Sequence, residues 1–550
     1  MFIRIKKSAK TDRVSIQIVE NTRVGEKTKQ RVIRHIGTAS IANDIAHLRQ
    51  VGEIIKSEII FNNLCKLKKS STGKYGSPIG KIKAISNQET IHLSKLEEAG
   101  RHIIGIHDVY GYIYDLLDFT NPFSRPVRRE HVAKILREIV LCRIAHPCSK
   151  RGAVEKLHSA FGVSLNLDRV YQMMDKIDDA FCERIQERAL AATLRLTGER
   201  LKVLFYDVTT LYFESFTEDE LKQNGYSKDM KFNQPQVLLA LFVTTGGLPV
   251  GYELFPGATY EGHTLKPVLE KLKSRYEIDE MIFVADRGML SGDNLSYLED
   301  NNIPYIVGAR IKSLTKAKQK EILDWGRKAK KLEYDSSTMH AITASKRLIL
   351  SYQKKRAEKD RHDREKSVLK LQQKLAKSSN PKNAISNYGY QKYLLIEGDA
   401  KLKINTEKLE RESDWDGLSG VYTNQANLSD TEILNHYCSL WQIEESFRIS
   451  KHDLSIRPIY HWTPRRVRAH IAISFMAFAC VRHLEYRVKM QYKKLSPEVI
   501  REELLKVQAS IIEDGETGKK YLLPSKLSQE AKQLYRLIGS KPSNQIQIIL

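Results

Sequence analysis

Apolar and polar residues alternate with a period of two over the first forty positions, as Phe2-Ile3-Arg4-Ile5 and then Val14-Ser15-Ile16-Gln17-Ile18-Val19. With the extended run Gln30-Arg31-Val32-Ile33-Arg34-His35-Ile36-Gly37, this predicts a small basic hairpin. Over 41–70 the spacing turns helical, through Ile45, Leu48, Ile54 and Ile55. The segment 75–88, rich in Gly, Ser and Lys, reads as a linker. Residues 100–198 have helical periodicity throughout. One stripe, Val132, Ile135, Leu136, Ile139 and Val140, breaks at Pro147, and Ser149-Lys150-Arg151 opens the next helix. Two short helices with basic residues at the start of the second suit DNA docking and equally suit an ordinary helical bundle.

From residue 200 the period changes again. Strands are predicted at 201–209, 236–244 and 249–254, the last two forming a hairpin across a TTGG turn. An amphipathic helix (263–276), a strand ending in an acid (281–286, MIFVAD), a helix (290–300) and a fifth strand (304–308) follow, which is an α/β order. Residues 311 to about 424 interrupt it, with strand-like pieces at 392–397 and 420–423. They also hold a helix over 354–377 with ten Lys/Arg against four Asp/Glu, read as a solvated face or a basic arm over nucleic acid. One long helix is expected over 430–451, begun by Ser429 or Asp430, another from 465 to about 490, then a tail of helix and some strand.

Composition narrows this. A chain of 550 residues with 41% hydrophobic and 28% charged residues is globular, with room for more than one domain. A net charge of +24 favours a polyanionic partner over a protein that is merely basic. The six cysteines include no C-x-x-C pair, so neither a zinc site nor a disulfide framework is indicated, which suits a reducing cytoplasm. The start, MFIRIKKSAK, lacks the apolar run of a signal peptide, and the apolar stretch 471–481 is too short to span a bilayer and reads as a buried helix.

Candidate chemistry rests on acids. Asp207, in FYDVTTLYFES, follows four apolar or aromatic residues on the first core strand, and Asp286 ends the fourth. Were those strands neighbours, two carboxylates would meet at one edge, where a divalent cation such as Mg²⁺ is the natural partner. Each acid alone could instead be satisfied by a nearby Lys or Arg. Only one of Glu444 and Glu445 can face inward. Glu444 is chosen as third ligand because Leu440, Phe447 and Lys451 share its helical face, whereas Glu445, about 100° away, is expected to face solvent or a neighbouring base. Such a site would activate water or a 3′-hydroxyl for attack on phosphorus. A glycosidase also pairs carboxylates, but sugars do not call for so basic a chain.

These residues carry a resemblance. The segment YCSLWQIEESFRISK is similar to the Y-x2-R-x3-E-x6-K signature of DDE transposases of bacterial insertion sequences, the insertion-sequence-4 family and its insertion-sequence-1634 branch. Tyr437, Glu444 and Lys451 take their places in it, while Leu440 stands where the family has Arg. RVIRHIGT, YDVTTLYFES, GYSKDMKFNQPQVLLAL, GLPVGYELFPGATYEGHTL, VADRGMLS and RPIYHWTPRRVRAHI resemble the same branch, so the likeness covers most of the chain. It implies an RNase H-like catalytic core, a mixed five-stranded sheet with helices, interrupted by an insertion domain and preceded by a mostly helical region.

The division expected is 1–95 (hairpin, helix and linker), 96–199 (helical, DNA-binding), 200–310 and 425–492 (core), 311–424 (insertion) and 493–550 (tail). The implied activity is cleavage of the element's ends and joining of 3′-hydroxyls to target DNA. Two Mg²⁺ ions, with Mn²⁺ as a substitute, would be held by Asp207, Asp286 and Glu444. The partners would be double-stranded DNA and a second copy in a dimeric synapse, in the bacterial cytoplasm at the nucleoid and without a membrane. Tyr437 and Lys451 would contact the DNA end, and Arg448 is the nearest substitute for the family's Arg. Arg287, Arg465, Arg466 and Arg468 are DNA-contact candidates, with site neutralisation or a solvated face as the alternatives. Glu261 and His263 are either groups supporting the site or, with Thr264, helix capping. Trp441 and Trp462 are expected to pack. No Trp closely follows Asp286, which leaves cleavage through a DNA hairpin without its base-holding residue. A nuclease without strand transfer and a binding protein without catalysis are the alternatives.

Overall fold

The computed structural model describes residues 2–7, 13–24, 27–40, 45, 48–49, 52, 56, 82–84, 95–120, 122–123, 130–198, 202–214, 217–226, 233–275, 281–289, 291–331, 335–341, 346–377, 393–397, 401–492, 495–540, 542 and 545–549. Most of the helix expected over 41–70 lies outside these. Two compact units are present: residues 1–202, 207–259 and 442–550 form one, and residues 203–206 and 260–441 the other.

At the N-terminus β1 (Phe2–Lys7), β2 (Val14–Val24) and β3 (Lys27–Ala39) form an antiparallel sheet with β2 in the middle. The alternation read from the sequence is what buries Val14, Ile16 and Ile18 on one face of β2. The expected linker contains β4 (Ile82–Ala84), and the stretch expected to open as helix begins as β5 (Leu96–Ile103). Helices Gly105–Leu116, Glu130–Ala145, Lys150–Phe161, Leu167–Met174 and Asp179–Thr197 follow. Ser149 caps the third, accepting from the Gly152 N–H at 3.1 Å. Of the two basic residues at that helix start, read as suiting either DNA docking or an ordinary bundle, Lys150 is 3% exposed and faces the core, while Arg151 is exposed.

The core strands are β6 (Val203–Tyr212), β7 (Gln236–Thr244), β8 (Pro249–Pro256), β9 (Ile282–Ala285) and β10 (Tyr305–Gly308). Every residue of β7 is buried, as its unbroken apolar run requires of a central strand. β9 runs parallel to both β6 and β10, and β7 pairs antiparallel with β8. The sheet has eight strands rather than the expected five, because β11 (Ser336–Ala341), β12 (Arg347–Tyr352) and β15 (Leu418–Thr423) extend it, in the order β11-β12-β15-β10-β9-β6-β7-β8. β12 and β15 pair antiparallel across the charged helix Lys354–Lys377, a separation that hides the pairing from local pattern. β13 (Leu394–Glu397) and β14 (Lys401–Ile404) form a separate pair.

The tail supplies β16 (Gln508–Asp514), β17 (Lys520–Pro524) and β18 (Gln547–Ile549), which build a sheet with β4 and β5 in the order β4-β18-β17-β16-β5. Helix Pro464–Gln491 is long and apolar enough to cross a membrane by length and composition, but 94% of its apolar window is buried inside the protein. It packs on helices Gly105–Leu116, Glu130–Ala145 and Asp179–Thr197 as a core helix.

The single helix expected over 430–451 is broken. Helix Asp430–Cys438 starts at a capping box made by Ser429 and Glu432, and a second helix, Trp441–Arg448, follows after a turn at Ser439 and Leu440. Each buries its own face, Ile433 in the first and Gln442, Ile443, Ser446 and Phe447 in the second. The second passes into a π-helical turn, Ile449–Asp453, closed by Leu454 N–H donating to the Ile449 carbonyl at 2.9 Å.

Candidate active site

Asp207 is the half-buried position in an otherwise buried stretch of β6. Its Oδ1 accepts from the Val208 N–H at 2.7 Å. The preceding Tyr206 is fully buried, its ring centroid 5.3 Å from that of Phe283. The Tyr206 and Thr264 hydroxyls are 2.6 Å apart, and Thr264 Oγ1 also donates to the Glu261 carbonyl at 2.6 Å. In the parallel register Tyr206 lies opposite Ala285. Asp207 follows Tyr206 within β6, and Asp286 follows Ala285 just past the end of β9. The strand neighbourhood that the sequence could only suppose is therefore present.

Asp286 is exposed and accepts from the Tyr437 hydroxyl at 3.3 Å. Burial, reinforced by the Asp286 charge, pushes the Tyr437 phenol well above its ordinary range, so it remains a neutral donor. Gly308 makes this approach possible, since a Cβ there would lie 2.2 Å from Tyr437 Oη and 3.0 Å from the Arg287 nitrogen. Gly308→Ala is expected to destabilise the protein by ~1–3 kcal/mol through overpacking, read as a lower denaturant midpoint. Part of that loss should return in Gly308→Ala/Tyr437→Phe, which removes the colliding oxygen. Equal losses in both backgrounds would show that Tyr437 is not what occupies the space.

Asn294, which the sequence did not single out, holds the neighbouring turns. Its buried amide donates to the Gly262 carbonyl at 2.7 Å and the Met289 carbonyl at 2.9 Å, tying the turn at Glu261–Thr264 to the one after Asp286. The available signal was an Asn three residues after Ser291, a residue type that caps helices; its burial is visible only in the structure. Glu261 and Thr264 lie in the short turn Glu261–Thr264 that leads into helix Leu265–Arg275. Glu261 Oε2 lies 3.9 Å from where a Cβ on Gly288 would sit, while His263 meets the Tyr260 ring edge-on.

The orientation read from the sequence is reversed. Glu444, chosen as the inward residue, is exposed on helix Trp441–Arg448, and Glu445 is half-buried. Leu440 lies in the turn before that helix, and the break there changes which face is buried. The neighbours of Glu444 fix that helix. Buried Arg482 sends Nε to the Gly247 carbonyl at 2.8 Å and Nη1 to Glu485 at 2.6 Å, with Glu445 3.7 Å away and Gln442 Oε1 3.4 Å from Nη2. Gly247 has φ +71°, and a Cβ there would meet Arg482 Nη2 at 1.8 Å, so the turn between β7 and β8 requires glycine twice over. Glu445 is also 3.8 Å from Arg448. It is occupied in the fold, whereas among the described residues no salt bridge reaches Glu444.

The family description "Transposase DDE domain" matches residues 199–480, and "IS1634 family transposase, N-terminal domain" matches residues 3–58. The chain is a DDE transposase of the IS1634 type. Enzymes with this domain are nucleases and transferases acting on DNA, generally with divalent metal ions. No curated protein matches the transposase. Among solved structures it is similar to the piggyBac transposase synaptic complex with hairpin DNA, at 9% identity and a TM-score of 0.36, over 73% of this chain and 76% of that one.

The transposase places the other predicted residues as follows. Arg448 lies between Glu445 and Asp453, at 3.8 and 3.5 Å. Arg466 is bound by both oxygens of Asp175, at 2.7 and 2.8 Å, and stacks over Tyr171 at 4.8 Å. Arg287 and Arg465 are exposed; Lys451, in the π turn, and Arg468 are half-buried. Trp441 and Trp462, expected as packing residues, are 45% and 73% exposed. Among the described residues no group of three or more His, Cys, Asp or Glu is gathered closely enough to hold a metal ion unaided.

Proposed function

We propose that the transposase binds the ends of its own mobile element, cuts the DNA and joins the freed 3′-hydroxyls to target DNA, with Asp207, Asp286 and Glu444 as the catalytic carboxylates. The observation that carries this is the register of β6 and β9, which makes Asp207 and Asp286 successors of the paired residues Tyr206 and Ala285. The order β8-β7-β6-β9-β10, with a parallel centre and an antiparallel hairpin, supports an RNase H-like core. On this reading the residues between Asp286 and Glu444 include an insertion domain, and the division given from sequence stands as its proposed outline.

The donor set suits Mg²⁺, which takes one or two carboxylates and completes its shell with water and phosphate oxygens. Bound by Asp207, Asp286 and Glu444, two such ions, or Mn²⁺ in their place, would supply activation of a water or 3′-hydroxyl and stabilisation of the leaving oxygen. The chain's own residues do the positioning. Tyr437 orients Asp286 by donating to it. Arg482 anchors the helix of Glu444 through Gln442 and Glu445. Lys451, Arg287, Arg465 and Arg468 supply cations for DNA phosphates, as does Arg448, and Arg466 can join them only by sharing itself with Asp175. A second copy in the synapse belongs to the same proposal.

Incubating the protein with element-end duplexes, a second duplex and Mg²⁺ tests this. Strand joining to the second duplex is the expected result. Cleavage without joining would reduce the protein to a nuclease, and binding without cleavage to a DNA-binding protein. Glu444→Gln should stop cutting while Glu445→Gln, in protein that remains folded, should not; the reverse would move the third carboxylate to Glu445.

A further inference from the structure

Two large aromatic side chains are left in solvent on a segment otherwise held firmly. Ile459 is buried, bridges to Phe213 and donates its N–H to the Tyr212 carbonyl at 3.1 Å, alongside the end of the strand that carries Asp207. Lys222, 2% exposed and paired with Asp219 at 3.2 Å, donates to the Trp462 carbonyl at 2.9 Å. His461 turns inward to ring contacts with His470 at 5.3 Å and Tyr171 at 6.4 Å. Burial, with Lys150, Arg143 and Arg466 nearby, pushes its pKa down to about 3, so it packs as a neutral ring. Thr463 then caps helix Pro464–Gln491.

Between these anchors Tyr460 is 61% and Trp462 73% exposed. Leaving two such rings in water forgoes the burial that makes aromatics valuable, and fixing their backbone first suggests that something else covers them. Burial alternates along the segment, with Ile459 and His461 inward and Tyr460 and Trp462 outward, as in an extended chain. Residues i and i+2 of an extended chain are about 6.6 Å apart on one face. A flat nucleobase occupies about 3.4 Å of a stack, about half of that backbone spacing, which is the spacing that two rings standing on one face need to take one base between them. Cations bracket the pair: Arg465 is exposed in the next helical turn, and Arg457 lies over Tyr212 at 5.5 Å.

We infer that Tyr460 and Trp462 form a clamp for an unpaired nucleotide of the DNA substrate, the base between the rings and its phosphates toward Arg457 and Arg465. A base inside a duplex offers no free face, so the clamp selects DNA that is single-stranded or opened at this point. The inference rests on the chain acting on DNA and is independent of which carboxylates cut.

The test is a binding measurement with the full chain in EDTA, so that catalysis plays no part. A duplex carrying a short single-stranded overhang with 2-aminopurine is compared with the same duplex blunt-ended. Wild type should quench the 2-aminopurine and bind the overhang duplex more tightly. Trp462→Ala and Tyr460→Ala should each weaken overhang binding about tenfold and abolish the quench, with blunt binding changed less than about twofold. Trp462→Phe should keep most of the quench, because a ring remains.

Absence of quenching by wild type, or equal losses on both duplexes, would overturn the clamp. A dimer that falls apart on Trp462→Ala while overhang binding persists would assign the rings to a second copy of the chain instead. If the clamp holds but Asp207 variants still cut, the catalytic assignment fails and the clamp does not.

Discussion

Asp207→Asn is expected to lower the rate of strand cleavage by about 10³-fold or more, and to leave DNA binding close to wild type. The size follows from losing an anionic ligand where several kcal/mol of charge stabilisation are applied, at ~1.36 kcal/mol per tenfold in rate. Asparagine keeps the oxygen that accepts from the Val208 N–H and matches the volume of a half-buried side chain, so the strand should be undisturbed. Asp286→Asn should behave alike, since Asn retains an acceptor for the Tyr437 hydroxyl. The check is single-turnover cleavage of element-end DNA, with binding measured separately in EDTA. Cleavage within tenfold of wild type in either variant would remove that residue from the proposed triad.

Arg482→Ala is expected to have the largest effect on stability, ~3–5 kcal/mol. Arg482 is 4% exposed, and Glu485 beside it is 7% exposed, so deleting the cation strands a buried carboxylate and frees the carbonyls of Gly246 and Gly247. The readout is the denaturant midpoint followed by circular dichroism. A second variant separates a lost pair from a lost shape: Arg482→Ala/Glu485→Leu should recover part of the loss, because the buried charge goes too. A shift below ~1 kcal/mol for Arg482→Ala would mean that the cluster is not a stability element. Because Gln442 and Glu445 belong to the same cluster, cutting activity should fall with it even where the protein stays folded.

Much of this was legible in the sequence because the signals are local. Period-two alternation predicted the N-terminal strands, and the unbroken apolar run QVLLALFVT predicted a buried strand. A helix cap at Ser429 was visible from Glu432 three residues on. The acids Asp207, Asp286 and Glu444, with Tyr437 and Lys451, could be chosen from motif and spacing alone, and the family matches bear out the kind of enzyme they suggested.

What failed shares one cause. β5 pairs with β16 and β4 with β18, hundreds of residues apart, so a strand was read as the start of a helix and another as linker. β12 and β15 joined the sheet from inside the stretch set aside as an interruption. The helix break at Ser439 and Leu440 has no Pro or Gly to announce it, and is set by which face each half buries.

Sequence alone determined the family, the basic character and the inventory of chemical groups, since each depends on residue type and short-range order. Tertiary structure alone decided which groups meet. It put Tyr437 on Asp286 and committed Glu445 to Arg482. It also turned Trp462 and Tyr460 outward, because Ile459 and His461 had taken the two inward positions of the segment. Side-chain direction depends on what the backbone packs against, and those partners lie far away along the chain.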